Sequence, residues 1–245
     1  MKSVNNLKIK VFADGADRAA ILEMYANPLI KGFTTNPTLM RKAGVSEYRT
    51  FASEILAIVK DRPVSFEVFA DEFGEMEVQA LEISSWAKNV VVKIPVTNTR
   101  GYSSASLLQR LAGLGVKVNV TALTTLEQVK GVCDSLRNGP PCYVSVFAGR
   151  IADTGRDPVP IMAEGVEVLR KAPQTELIWA SPRELLNIFQ AEAIGCHVIT
   201  ATSDILKKLP LVGKDLTEYS LETVKMFHGD AQKAGYRLAT DVVVK

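Results

Sequence analysis

Two hydrophobic periods alternate along this 245-residue chain. Short β-branched or aromatic runs, either fully apolar or of period two, are separated by stretches in which apolar residues recur at helical spacing. The first kind predicts strands at Lys8–Ala13, Lys31–Thr35, Val64–Ala70, Val90–Ile94, Lys117–Ala122, Cys142–Ala148, Glu176–Ala180 and His197–Ala201. The second predicts helices at Asp17–Tyr25, Ser46–Lys60, Met76–Trp86, Ser104–Leu114, Thr125–Ser135, Pro158–Lys171, Arg183–Ala193 and Asp204–Leu209, with a last one near Leu216–Lys233. Eight β/α units predict a single (β/α)8 TIM barrel domain over residues 1–245 with an additional C-terminal helix. Such barrels typically use about 250 residues. A doubly wound open sheet is the alternative, but no G-x-G-x-x-G or Walker sequence marks a nucleotide site.

Composition narrows the class without changing the fold. The chain is 47% hydrophobic and 23% charged, which is ordinary for a globular protein with a large core. A net charge of +2 with no block of like charges gives no nucleic-acid arm and no membrane-binding face. No run approaches the ~18 apolar residues of a membrane span, and MKSVNNLKIK lacks the apolar stretch of a signal peptide, so a cytoplasmic protein is expected. Cys133, Cys142 and Cys196 show no C-x-x-C spacing, and only His197 and His228 could join them, so no metal site is expected. Reduced, buried thiols are the expectation.

One residue breaks the apolar pattern. Residues 90–96 read Val-Val-Val-Lys-Ile-Pro-Val, placing Lys93 inside a run that otherwise predicts a fully buried parallel strand. Lysine is rarely buried unless paired or used. Burial disfavours the ammonium form, and a free amine attacks carbonyl carbon, so the setting suits a Schiff-base lysine. The bland alternative puts Lys93 at a strand end with its charge reaching water.

Barrel sites lie at the carboxyl ends of the strands. There the sequence supplies Asp14, the stretch Thr34-Thr35-Asn36-Pro37-Thr38, Glu67, Lys93, Asn119 with Thr121, Ser145 with Phe147 and then Arg150, and Ser181 with Arg183. Period-two alternation puts Asn119 and Thr121 on one face, and Ser145 and Phe147 on one face. Each has a structural alternative. Asp14 can cap a helix, Glu67 can pair with Lys93, Asn119 can tie a loop, and Thr121 is a good strand former. Together, buried Asp, Glu and Lys on successive strands favour a site, because such burial is costly without pairing or chemistry.

Ser181-Pro182-Arg183-Glu184 has the form of a capping box opening a helix at Arg183. The same helix start offers N–H groups to an anion. Arg183 in a first turn opposes the helix dipole, a cost that a phosphate held between Arg183 and Arg150 offsets. A phosphorylated substrate is therefore expected.

These motifs, FAD at 12–14, TTNP at 34–37, FEV at 66–68, VVKIPVT at 91–97, NVTA at 119–122, FAGRI at 147–151 and ASPR at 180–183, resemble the small transaldolases, a group that includes fructose-6-phosphate aldolase. The resemblance spans roughly residues 8–232. It implies Lys93 as Schiff-base nucleophile, Asp14 as proton acceptor from the donor C4 hydroxyl, and Glu67 as acid/base through a water held by Thr121. It further implies Asn36, Thr35, Asn119, Ser145 and Phe147 around the donor, and Arg150, Ser181 and Arg183 at its phosphate. No cofactor, sugar-phosphate substrates, a place in the pentose phosphate pathway and a homo-oligomer are implied as well. The aldolases of the group carry a tyrosine where this chain has Phe147, and a phenyl ring moves no proton, so transfer of a dihydroxyacetone unit to an aldose phosphate is favoured over simple cleavage. Gly15 after Asp14 and Val146 before Phe147 depart from the family pattern, which leaves room for a specialised transaldolase making an unusual sugar. A non-catalytic sugar-phosphate-binding barrel is the remaining reading.

Overall fold

A computed structural model of the chain describes residues 4–238. Residues 1–3 and 239–245, which the single-domain expectation includes, lie outside the described part. Eight parallel strands close in sequence order into a barrel. They are β1 (Lys10–Asp14), β2 (Ile30–Thr34), β3 (Val64–Glu67), β4 (Val90–Pro95), β5 (Val118–Leu123), β6 (Cys142–Val146), β7 (Thr175–Trp179) and β8 (Val198–Thr202). The intervening helices are α1 (Arg18–Ala26), α2 (Pro37–Lys42), α3 (Tyr48–Ile58), α4 (Phe73–Ser84), α5 (Ala105–Gly113), α6 (Leu126–Leu136), α7 (Ala148–Ala152), α8 (Val159–Leu169), α9 (Leu186–Ala193) and α10 (Ser203–Leu206). The barrel prediction holds, with boundaries shifted by a few residues. Residues 7–209 form one compact unit.

The second unit holds, among the described residues, 4–6 and 210–238. It carries α11 (Leu216–Ala234), the expected C-terminal helix. Asp215 caps its start by accepting from Thr217 N and Glu218 N, and Gly235 ends it at φ 68°, a left-handed turn suited to glycine. None of its residues is buried.

Side-chain caps open four of the eleven described α-helices, α1, α2, α6 and α11. Asp17, not Asp14, caps α1 by accepting from Ala20 N at 2.8 Å, so Asp14 is free of that duty. Thr125 and Gln128 form a capping box at α6. Two short helices were absent from the sequence prediction. α2 begins at Pro37 with Asn36 as its cap, and α7 turns what read as the end of β6 into a helix from Ala148. The expected capping box at Ser181 does not form. Asn187 Oδ1 accepts from both Arg183 N (2.7 Å) and Glu184 N (3.1 Å), and α9 starts only at Leu186.

Register fixes which residues point inward. Along the ladders, Asp14 pairs with Thr34, Thr34 with Ser65, Glu67 with Lys93, Lys93 with Asn119, and Pro95 with Thr121. Partners in adjacent parallel strands share a face, so the polar residues of successive strand ends fall on one interior surface. Below them the barrel is apolar. Phe12 packs with Ile178, Ala180 and Val198, and Tyr143 and Phe147 lie against this cluster. Phe12 meets Tyr143 edge to face at 5.6 Å. Its ring tip occupies the space a side chain on Gly32 would take, since a Cβ there would lie 2.6 Å from Phe12 Cζ.

Gly32→Ala is therefore expected to destabilise the barrel by about 1–3 kcal/mol through overpacking, read as a lower denaturation midpoint with unchanged slope. A neutral result would mean that the Phe12 ring is free to move aside.

Candidate active site

A cavity of about 430 Å³ opens at the carboxyl ends of the strands. Asp14, Asn36, Glu67, Lys93, Thr121, Ser145, Phe147, Arg150 and Ser181 line it, together with Thr34, Ala122, Ala180 and Thr200. Most of the residues singled out from sequence thus meet in one place. Thr35, Asn119 and Arg183 do not reach its wall.

Lys93 is buried, with 5% of its surface exposed, so its charge does not escape to water. Its Nζ lies 2.9 Å from Glu67 Oε2 and donates to the Thr35 carbonyl at 2.7 Å. The pairing alternative for Glu67 is therefore realised, and it puts a proton acceptor against the amine. Glu67 is positioned from outside the barrel. The Tyr48 hydroxyl donates to its backbone carbonyl at 2.7 Å, and Tyr48 itself sits among Phe66, Phe69 and Trp86.

Asp14 accepts from Thr34 Oγ1 at 2.7 Å, and Thr34 Oγ1 lies 2.6 Å from Thr200 Oγ1. Burial raises the Asp14 pKa above its ordinary value, and the Lys93 charge and the Thr34 hydrogen bond only partly oppose this. Thr200 escaped the sequence reading, and Thr34 was named there at a strand end but given no role. The parity of β8, with Val198 and Thr200 on one face, was the available signal for Thr200. For β2 the choice between Thr34 and Thr35 depends on ladder register, and the β1–β2 register shifts between Val11 and Phe12. Thr35 turns its hydroxyl to the Ser65 carbonyl at 3.1 Å and offers Lys93 its own carbonyl.

The opposite wall is a hydrogen-bond chain. Ser145 Oγ donates to Asn119 Oδ1 at 2.7 Å, and Asn119 Nδ2 donates to Ser65 Oγ at 3.2 Å. Asn119 lies fully buried and acts on the cavity through Ser145. Among the described residues, the buried Thr121 hydroxyl has no hydrogen-bond partner. Asn36 spends its Oδ1 on Leu39 N at 2.9 Å, leaving its amide N–H groups as donors at the cavity.

Two non-glycine residues adopt left-handed backbone among the described residues, Ala122 (φ 67°) and Ser181 (φ 56°), and both line the cavity. Such geometry costs roughly 1–2 kcal/mol each and collects at functional sites. At Ala122 it breaks the β5–β6 register, and at Ser181 it turns the chain over α7. Gly149 permits that crossing, because a Cβ there would lie 1.6 Å from the Ser181 carbonyl oxygen. Arg150 stands 5.4 Å from the Phe147 ring centroid on the cavity wall. Arg183 is held in an ion pair with Asp153 instead of facing the cavity.

A buried lysine against a carboxylate, a second carboxylate across the cavity and an arginine at its rim suit imine chemistry on a sugar phosphate. The chain also matches the family model described as Transaldolase/Fructose-6-phosphate aldolase over residues 11–238. A probable transaldolase from a Thermoanaerobacter species is 34% identical over 231 residues, covering 94% of this chain and 100% of that protein. One from Methanococcus maripaludis is 36% identical over 202 residues, covering 82% and 89%. The chain belongs to the transaldolase/fructose-6-phosphate aldolase family, and its activity is of the transaldolase type. The crystal structure of 2,3-dimethylmalate lyase, a PEP mutase/isocitrate lyase superfamily member, shares the fold at TM-score 0.52 and 11% identity, covering 98% of this chain and 89% of that one.

A raised carboxyl pKa means that ionised Asp14 opposes folding. Its protonated form supports folding below the ordinary value of 3.8, and that support is lost as pH rises through the raised value. Asp14→Asn should therefore raise the melting temperature at neutral pH, with the gain shrinking as pH falls through Asp14's titration. A melting temperature lowered at neutral pH would show that ionised Asp14 is held favourably by its neighbours.

Proposed function

We propose that the enzyme moves a three-carbon dihydroxyacetone unit from a ketose phosphate, of the fructose 6-phosphate or sedoheptulose 7-phosphate type, to an aldose phosphate through a Schiff base on Lys93. The observation that carries this is Lys93 Nζ, buried at the cavity and 2.9 Å from Glu67. The ammonium gives its proton to Glu67, and the amine attacks the ketone carbon C2. A water between Glu67 and the unpartnered Thr121 hydroxyl relays the proton that lets the carbinolamine hydroxyl leave. Asp14 then takes the C4 hydroxyl proton, for which a raised pKa makes it a stronger base. The C3–C4 bond breaks, its electrons pass into the protonated imine, and an aldose phosphate departs. The three-carbon enamine remains on Lys93 until C3 attacks the incoming aldehyde, whose oxygen recovers the proton from Asp14. Addition of water then frees the new ketose.

Ser145, positioned by Asn119, and the Asn36 amide hold donor hydroxyls, with Thr35 fixing Lys93 through its carbonyl. Arg150, Ser181 and Arg183 receive the phosphate. Phe147 gives the enamine no proton, which favours transfer over release of free dihydroxyacetone. The same reading places the enzyme in the cytoplasm, in sugar-phosphate interconversions of the pentose phosphate kind, as a single-domain chain that forms a homo-oligomer. The exposed Leu216, Leu221, Val224 and Phe227 on α11 support the last point. No described helix is long and apolar enough to cross a membrane.

Borohydride reduction in the presence of fructose 6-phosphate should leave a three-carbon adduct on the Lys93 peptide, absent in Lys93→Ala. No adduct with any ketose phosphate overturns the Schiff-base reading. Phe147→Tyr is expected to raise the release of free dihydroxyacetone without acceptor. Substantial release already in the wild type would instead make the chain a dihydroxyacetone aldolase.

A further inference from the structure

Asp153 lies at the end of α7 and has no place in the chemistry above, yet it pairs with one of the arginines assigned to the phosphate and feels the charge of the other. Its carboxylate takes Arg183 in a two-pronged pair, with Nε to Oδ1 at 2.8 Å and Nη2 to Oδ2. The nearby Arg150 charge adds to Arg183 in holding the Asp153 carboxyl below its usual range. The backbone around this pair is fixed. Asn187 Oδ1 binds the Arg183 and Glu184 N–H groups, and the Ser181 carbonyl is seated on Gly149. A Cβ at Gly149 would also lie 3.3 Å from Arg183 Cζ, so the guanidinium rests against α7. Both partners are about half exposed, so the pair is exchangeable. Arg150 and Ser181 already face the cavity, whereas Arg183 does not.

We propose that Asp153 is a specificity-determining residue that competes with the substrate's phosphate for Arg183. This rests on the phosphate placement in the preceding subsection. In the free enzyme the two-pronged pair withholds Arg183 from the cavity. A phosphate bound at Arg150 and Ser181 carries more negative charge than one carboxylate and draws the guanidinium across. An unphosphorylated sugar brings no such charge and leaves the pair intact. Asp153 thus sets how strongly phosphorylated substrates are preferred, and at what affinity.

The test compares Asp153→Asn with wild type on fructose 6-phosphate and on unphosphorylated fructose as donors. KM for the phosphorylated donor should fall about two- to fivefold, the scale of a half-exposed ion pair, with kcat and the fructose KM nearly unchanged. In an Arg183→Ala background the Asp153→Asn effect should vanish. A rise in the phosphorylated-donor KM would mean that Asp153 presents Arg183 instead of withholding it, and overturns the proposal. Equal changes for both donors would mark a merely structural role and overturn it too. Calorimetric titration with inorganic phosphate repeats the comparison without catalysis, so a chain that forms no imine still tests it. Tighter phosphate binding in Asp153→Asn supports the proposal even then, and unchanged or absent binding overturns it.

Discussion

The interior ion pair between Lys93 and Glu67 governs the upper half of the barrel. Bringing an ammonium and a carboxylate out of water costs several kcal/mol per ion, and an apolar pair of similar volume often stabilises a core as well or better. The pair is therefore a poor choice if stability were the only demand. Its surroundings answer the remaining polar requirements. Thr35 offers a carbonyl to the lysine, and Tyr48 ties the Glu67 backbone from outside the barrel wall. Beneath it the fold compensates with a tight apolar plug of Phe12, Ile178 and Val198. The two halves of the interior divide the labour, with chemistry above and cohesion below.

Much of this was legible in the residues. The Val-Val-Val-Lys-Ile-Pro-Val run placed Lys93 in a central strand, and alternation in β5 put Asn119 and Thr121 on the inner face. What alternation does not carry is register between strands. The choice of Thr34 over Thr35 as the Asp14 partner depends on how β2 slides against β1, a tertiary matter. Ser65 escaped for a related reason. It shares a face with Glu67, but its partner Asn119 lies two strands away and shows only in the fold.

The short helices and the loop after β7 were opaque for a different reason. Ser181-Pro182-Arg183-Glu184 has the local chemistry of a helix start, but local preference lost to a neighbour. The Asn187 side chain claims the N–H groups the cap would have ordered, and Ser181 turns left-handed to cross Gly149. An arginine that read as a first-turn residue facing an anion thus lies on α7 against a carboxylate. Composition around Pro37 likewise signalled a strand stop but not the six-residue helix that follows. In each case the decisive contact lies outside the local pattern.

The Phe12 ring passes through the space left by Gly32 and fills the barrel interior with Ile178, Ala180 and Val198. The missing side chain of one glycine thus couples two strands, so that any enlargement at position 32 has to be answered by a smaller residue at position 12.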